Sequence, residues 1–251
     1  CCPPNLARLL ASLGGYLWSQ SAPGKASRPA EGRRPGSRAK GAVYANLYAT
    51  NEAVVTVSGV KVGLSQQSEY PWQGAVRIRL APASPVKFAL ALRIPGWCRK
   101  WALRVGGRKC AARVKDGYAY IERTWKKSDA LRLDLDLPIE RVFAHPELRQ
   151  DVGSVALQRG PVVYCVERGD VKAPVTRLLL PRTAKLSAHF EPKLLGAVVV
   201  LKGKALAVGS HGNALYTGRP HPRKRVPFTA VPYCVWDNRK RGAMAVWLRE
   251  A

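Results

Sequence analysis

Leu131-Arg132-Leu133-Asp134-Leu135-Asp136-Leu137 alternates apolar and charged residues without a break. A period of two puts every leucine on one face of an extended chain and every charge on the other, so the stretch predicts a strand with one face inward and one wet. The same pattern spreads upstream, where Arg77 and Arg79 alternate with Val76, Ile78 and Leu80. Short segments rich in β-branched and aromatic residues, with turn residues between them, predict further strands over 43–48, 53–57, 60–65, 74–80, 87–94, 101–105, 118–124 and 130–137. Strands of this length, with Pro and Gly at the corners, describe an antiparallel sandwich over residues 42–140. Pro138 ends that unit, and residues 141–151, carrying His145-Pro146, predict an interdomain connection. A second β-rich unit over 141–251 follows, with its clearest strands at 155–158, 162–166, 175–180, 197–201 and 243–247. Residues 219–225 form a basic, proline-broken loop.

The 251 residues suffice for two ordinary domains, each with its own core. No run of about eighteen apolar residues occurs, so no membrane-spanning helix is expected. Lys and Arg number 42 against 16 acids, a formal net charge of +26. Such an excess suits a binder of nucleic acid or another polyanion, and equally suits Lys and Arg on solvated faces. Position decides between them. Arg77, Arg79 and Arg132 fall on the wet faces of half-buried strands, and no stacking aromatics cluster with the basic residues as they do in single-strand binders. Solvated faces are expected, and nucleic acid is not.

Upstream of the strands the character changes twice. Leu6, Leu9, Leu10, Leu13 and Leu17 make a helical i, i+3, i+4, i+7 stripe, with Asn5 as a candidate N-cap and Gly14-Gly15 as a natural stop. A helix this short needs a packing partner, and no other part of the chain reads as one. Together with a first residue that is Cys1 and not Met, this leads us to expect a processed chain or a part of something longer. Residues 19–41 are Ser, Pro, Gly, Ala and basic side chains, a composition that predicts a disordered linker or insertion.

Six cysteines are present: Cys1, Cys2, Cys98, Cys110, Cys165 and Cys234. Cys98, Cys165 and Cys234 sit beside Trp97, Tyr164 and Tyr233 in apolar runs and are expected to be small buried hydrophobes. A chain of this size needs no disulfide framework, which suggests reduced thiols and a cytoplasmic compartment. The Cys1-Cys2 pair stands apart, directly ahead of the helix. Only a thiolate attacks or binds metal well, and a helix N-terminus favours it. By spacing alone it is a weak metal motif, since structural zinc sites offer four ligands with cysteines two to four residues apart. His145, His189, His211 and His221 are scattered among loops as surface or packing residues. Glu122 and Asp129 lie in or beside strands and read as solvated surface groups.

Three motifs carry a resemblance. Cys1-Cys2-Pro3-Pro4-Asn5-Leu6-Ala7-Arg8, then Leu90-Ala91-Leu92-Arg93-Ile94-Pro95-Gly96-Trp97-Cys98, then Val155-Ala156-Leu157-Gln158-Arg159-Gly160-Pro161-Val162-Val163-Tyr164-Cys165 resemble glycoside hydrolase family 127 in the family's own order. Tyr70-Pro71-Trp72 and Phe228-Thr229-Ala230-Val231-Pro232-Tyr233 fit it too. The resemblance implies an (α/α)6-barrel catalytic domain followed by β-sandwiches. Residues 1–18 would then be the last barrel helix, 19–41 a linker or insertion that departs from the family, and 42–140 and 141–251 two antiparallel β-sandwich domains. It further implies a retaining β-L-arabinofuranosidase-type enzyme acting on arabinose-containing glycans, with Cys1 as nucleophile and zinc held partly by Cys1 and Cys2. The family's remaining zinc ligands, its acid/base Glu and its sugar-gripping histidines lie upstream of the Cys-Cys motif and map onto nothing here, so the isolated chain is expected to be inactive. Two alternatives are a free-standing carbohydrate-binding or assembly module presenting Trp72, Trp97, Trp101 and Trp125, and polyanion binding through residues 19–41 and 219–225.

Overall fold

The computed structural model describes residues 2–21 and 41–251. Cys1 and residues 22–40, which include most of the segment read as a linker, lie outside the described residues. One α-helix and twenty strands form among the described residues. The chain divides into two compact units, Cys1–Asp136 and Leu137–Ala251.

The first unit opens with α1 (Cys2–Leu17) and β1 (Trp18–Gln20). There follow β2 (Val43–Ala45), β3 (Asn51–Val57), β4 (Val60–Ser68), β5 (Ala75–Pro82) and β6 (Val86–Arg93). The unit ends with β7 (Trp101–Val105), β8 (Arg108–Lys109), β9 (Arg113–Lys115), β10 (Tyr118–Trp125) and β11 (Ala130–Leu135). Hydrogen bonding orders them into two sheets, β1-β2-β6-β10-β9 and β3-β4-β5-β11-β7-β8. All pairs are antiparallel apart from β2 with β6. The alternation in β11 does what its period requires. Leu131, Leu133 and Leu135 are buried in a core shared with Leu90, Leu92 and Trp125 of the other sheet. Arg132 lies on the outer face, where its Nε donates to Asp134 Oδ1 at 2.7 Å. Leu133 pairs with Val76 on one side and Leu103 on the other, so a one-residue slip would turn the whole leucine row to solvent.

Two details at the start differ from the sequence reading. Asn5 is not the N-cap, because the helix already runs from Cys2; Pro3 and Pro4 sit in its first turn, where a missing N–H breaks no intrahelical bond. Gly14-Gly15 does not stop it, and α1 continues to Leu17. Trp18, read as the end of the helix, and residues 19–20, read as opening the linker, form a strand instead, because Trp18 is buried and its indole N–H donates to Asn51 Oδ1 at 2.7 Å.

The second unit contains β12 (Ile139–Phe143), β13 (Ser154–Arg159), β14 (Val162–Glu167), β15 (Leu178–Leu180) and β16 (Ser187–Glu191). It continues with β17 (Val198–Val208), β18 (Arg223–Pro232), β19 (Met244–Ala245) and β20 (Leu248–Glu250). Its strands belong to a connected sheet whose pairing returns on itself: β13 to β20, β15, β17, β18, β14 and back to β13. Closure leaves fewer free edges than two open sheets would. Leu157, Tyr164, Leu178, Leu180, Leu201 and Phe228 fill its interior. The stretch 219–225, expected as a loop, gives its last three residues to β18, because Val226, Phe228 and Ala230 alternate inward just beyond them. Val175–Arg177 is a 3-10 turn ahead of a shorter strand than expected.

Candidate active-site segment

Cys2 stands exposed in the first turn of α1. Its neighbour Cys1, the nucleophile candidate, lies outside the described residues. The helix behind Cys2 buries none of its residues. Leu6 and Leu10 remain 58% and 63% exposed, and Leu9 and Leu13 are also uncovered, so the leucine stripe faces away from the first unit's core. The C-terminal end is tied down: the Asn46 amide donates to the Leu17 carbonyl at 2.9 Å, and β1 pairs with β2. The segment is thus held at one end by a sandwich, with the leucines beyond it exposed.

Zinc needs three or four convergent ligands. Among the described residues no group of three or more His, Cys, Asp or Glu side chains could hold a metal ion. Cys2 alone is one ligand, and the described residues do not make a zinc site.

The remaining cysteines are disposed differently from one another. Cys98 and Cys165 are buried, as expected. Burial pushes the Cys98 thiol up, and it donates to the Lys100 carbonyl at 3.1 Å. Burial, aided by the nearby Glu167 and Asp170 carboxylates, pushes Cys165 up to about 12. Such thiols are chemically quiet. Cys234 departs from expectation. It is exposed in the 3-10 turn Tyr233–Val235, because β18 ends at Pro232 and carries the chain out of the sheet.

The histidines are all exposed. His145 Nδ1 accepts from the Glu147 amide at 3.3 Å, and His189 Nε2 lies 2.7 Å from Ser187 Oγ. His211 and His221 stack on one another across the hairpin between β17 and β18, ring centres 5.6 Å apart. Glu122 pairs with Lys87 at 3.5 Å, and Asp129 accepts from the Lys126 amide at 2.9 Å, so both acids serve local structure.

The four tryptophans of the stacking alternative form no exposed platform. Trp125 is fully buried, with its N–H donating to the Phe88 carbonyl at 3.1 Å. Trp97 stacks against Tyr70, and both it and Trp101 pack on the first unit's core. Trp72 is half-buried. An exposed aromatic pair is Tyr233 with Trp236, rings 6.0 Å apart and 8° from parallel. Sequence reasoning missed it, and missed what braces it. Arg239 reaches Asp170 at 2.9 and 2.7 Å and also bonds Glu167. The Asp237 amide donates to Glu167 Oε1 at 3.1 Å. Hydrogen bonding to Asp170, outweighing burial, raises the Arg239 pKa further above its already high value. The Asp170 and Glu167 acids three residues apart, followed much later by Arg239, offered no local pattern to find.

The arrangement defines a class before it defines a family: tandem, mostly antiparallel β domains led by a thiol-bearing helix. Residues 42–137 match the family model for the GH127 middle domain of beta-L-arabinofuranosidase, and residues 139–249 match that for the glycoside hydrolase family 127 C-terminal domain. The chain belongs to glycoside hydrolase family 127 and is a C-terminal portion of it. It is 32% identical to the non-reducing end beta-L-arabinofuranosidase of Bifidobacterium longum subsp. longum, over 99% of this chain and 37% of that enzyme. The crystal structure of a GH127 beta-L-arabinofuranosidase from Geobacillus stearothermophilus T6 superposes with a TM-score of 0.88 at 42% identity, covering 100% of this chain and 37% of that one. A further GH127 beta-arabinofuranosidase structure gives 0.85 at 30% identity, over 100% of this chain and 38% of that one. The chain therefore spans less than two-fifths of the length of these relatives. Among the described residues no helix is long and apolar enough to cross a membrane.

Proposed function

We propose that this chain is the C-terminal part of a retaining glycoside hydrolase of β-L-arabinofuranosidase type, acting on arabinose-containing glycans in the cytoplasm. In this reading Cys1 is the nucleophile. Its thiolate displaces the glycosidic oxygen at the anomeric carbon, and water later displaces the thiolate, so two inversions give retention. Cys1 and Cys2 also serve as zinc ligands, with the rest of the ligand set and the acid/base carboxyl outside these 251 residues. The β units support the thiol segment and carry no part of the chemistry.

One observation carries this proposal. The likeness to the Geobacillus enzyme covers the whole chain at 42% identity, so the Cys-Cys segment and α1 fall inside it along with both β units. The uncovered leucine stripe of α1 supports it as well: a helix with an open apolar face suits a place in a larger helical domain. The test is hydrolysis of an aryl β-L-arabinofuranoside by the chain alone. No turnover is expected, because an acid/base carboxyl and half the metal site are missing. Turnover that Cys1→Ser abolishes would sink the inactivity expected of this chain and keep the nucleophile; turnover unaffected by Cys1→Ser would sink the nucleophile itself.

A further inference from the structure

The outer face of the second unit holds an open cleft of about 530 Å³ between the 181–187 segment and strands β17 and β18. Its cations are Lys185, Lys202, Lys204 and Arg225, and Thr183 and Ser187 add hydroxyls. The register explains the gathering. Ser187 pairs with Lys202, Lys204 with Pro227 and Leu206 with Arg225, so the period of two brings Lys202, Lys204 and Arg225 to the same sheet face on adjacent strands. Like charges this close on one face repel. Lys202 is neutralised by Glu191 at 2.6 Å, whereas Lys185, Lys204 and Arg225 have no ion-pair partner among the described residues.

The cleft is built and not merely left over. Arg141 of β12 donates to the carbonyls of Pro181 and Ala184, at 2.9 and 3.1 Å, and so pins the wall from below. Arg182 fastens the same wall to Glu250 at 2.6 Å. On the Phe228 face of β17, Gly203 leaves room for the wall's Leu186 to seat: a Cβ there would come within 2.7 Å of Leu186 Cδ2, 3.0 Å of Phe228 Cε1 and 3.3 Å of the Lys185 carbonyl. Leu206, Pro181 and Pro227 supply an apolar floor between the charges.

We propose that this cleft binds an anionic sugar, a saccharide ring bearing a carboxylate or a phosphate. The apolar floor takes the C–H face of the ring, Thr183 and Ser187 take its hydroxyls, and Lys185, Lys204 and Arg225 take the acid group. The anion follows from the cleft alone; the saccharide rests on the glycosidase reading above. Volume supports one or two sugar rings and excludes a polymer lying wholly inside.

The test is titration calorimetry on the 251-residue chain with four probes: a uronic-acid disaccharide, a hexose phosphate, the matching neutral disaccharide and inorganic phosphate. Saturable binding of at least one sugar acid is expected, at least tenfold tighter than either the neutral sugar or inorganic phosphate. Which sugar acid binds identifies the source of the anion. K204E and R225E, on exposed side chains, should each weaken it at least tenfold, and added salt should weaken it too. Unchanged thermal unfolding of both variants guards against a folding artefact, with K185E as the replacement if either misfolds. No sugar-acid binding, equal binding of the neutral sugar, or indifference to all three substitutions would overturn the site. Inorganic phosphate binding as tightly as the sugar acid would overturn the saccharide. The glycosidase reading stands or falls separately, on Cys1.

Discussion

Arg239→Met removes the cation from a cluster that is largely dry. Arg239, Glu167 and Asp170 side chains are 26%, 12% and 6% exposed, so the two carboxylates are left without a counter-charge and with little access to water. Breaking a buried pair by removing one partner costs about 3–5 kcal/mol. The partial exposure of the arginine puts the expected loss near the low end, about 3 kcal/mol. For a unit of this size that corresponds to a fall in Tm of about 12 °C, at about 4 °C per kcal/mol. The assay is urea unfolding of the second unit followed by Trp236 fluorescence, since the tryptophan lies in the segment that the cluster braces. Neutralising the orphans, with Glu167→Gln and Asp170→Asn added to Arg239→Met, should recover part of the loss, because the stranded charges are the main cost. A loss below about 1 kcal/mol for Arg239→Met would refute the reasoning, for that is the worth of a solvated surface ion pair.

Two further outcomes are expected. Gly74→Ala would set a methyl 1.8 Å from the Leu135 carbonyl oxygen, in a segment where the Leu135 amide also donates to the Gly74 carbonyl at 2.9 Å; a loss of about 3 kcal/mol or more is expected in the first unit, visible as a lowered urea midpoint. The second unit should lose stability as pH climbs from about 9 towards about 12. Cys165 is raised from 9.0 to about 12 by burial, so its thiol ionises first in the unfolded chain; stability is full below the unfolded value and drains as pH approaches the folded one, and Cys165→Val should flatten that slope in urea midpoints taken at pH 8 and pH 11.

Much of the fold was legible because most strands bury one face only. In β5 and β11 the inward residues are Val76, Ile78, Leu80, Leu131, Leu133 and Leu135, and the alternation alone locates strand, face and register. Where a strand mixed proline and charge into its pattern, the signal failed. β18 carries Arg223, Lys224, Arg225, Pro227 and Pro232, so its inward Val226, Phe228 and Ala230 were masked by residues that usually mark a loop. β12 was missed, with its residues 141–143 taken into a connection, because all five of its residues, Ile139 to Phe143, are only partly buried or exposed, and no inward row announces it. The candidate site divides the same way. Cys2 at a helix start was readable, because motif and helix stripe are both local. The Arg239 brace and the Lys185–Lys204–Arg225 cleft assemble residues far apart in sequence, through pairings that no single window contains.

Placement of the thiol end explains what the first β unit contributes. The sixteen residues of α1 make a rod of about 24 Å. Its far end is fixed by three independent bonds: Trp18 to Asn51, the Asn46 amide to Leu17, and the Ser21 amide to the Ala42 carbonyl at 3.0 Å. A rod so anchored cannot swing about its base without breaking β1 from β2 or drawing the buried Trp18 out of the core. Helix propensity cannot keep it straight, since Gly14 and Gly15 weaken the turn nearest the anchor by roughly 1 kcal/mol each relative to alanine. The leucine stripe therefore needs cover along its length, and that cover and the sandwich together would fix Cys2 from both ends. If Cys1 is the nucleophile, as proposed, the β portion contributes through position: a reacting thiol tolerates little misplacement, and a loosened Trp18 anchor would shift Cys2 and its neighbour without touching any reacting atom.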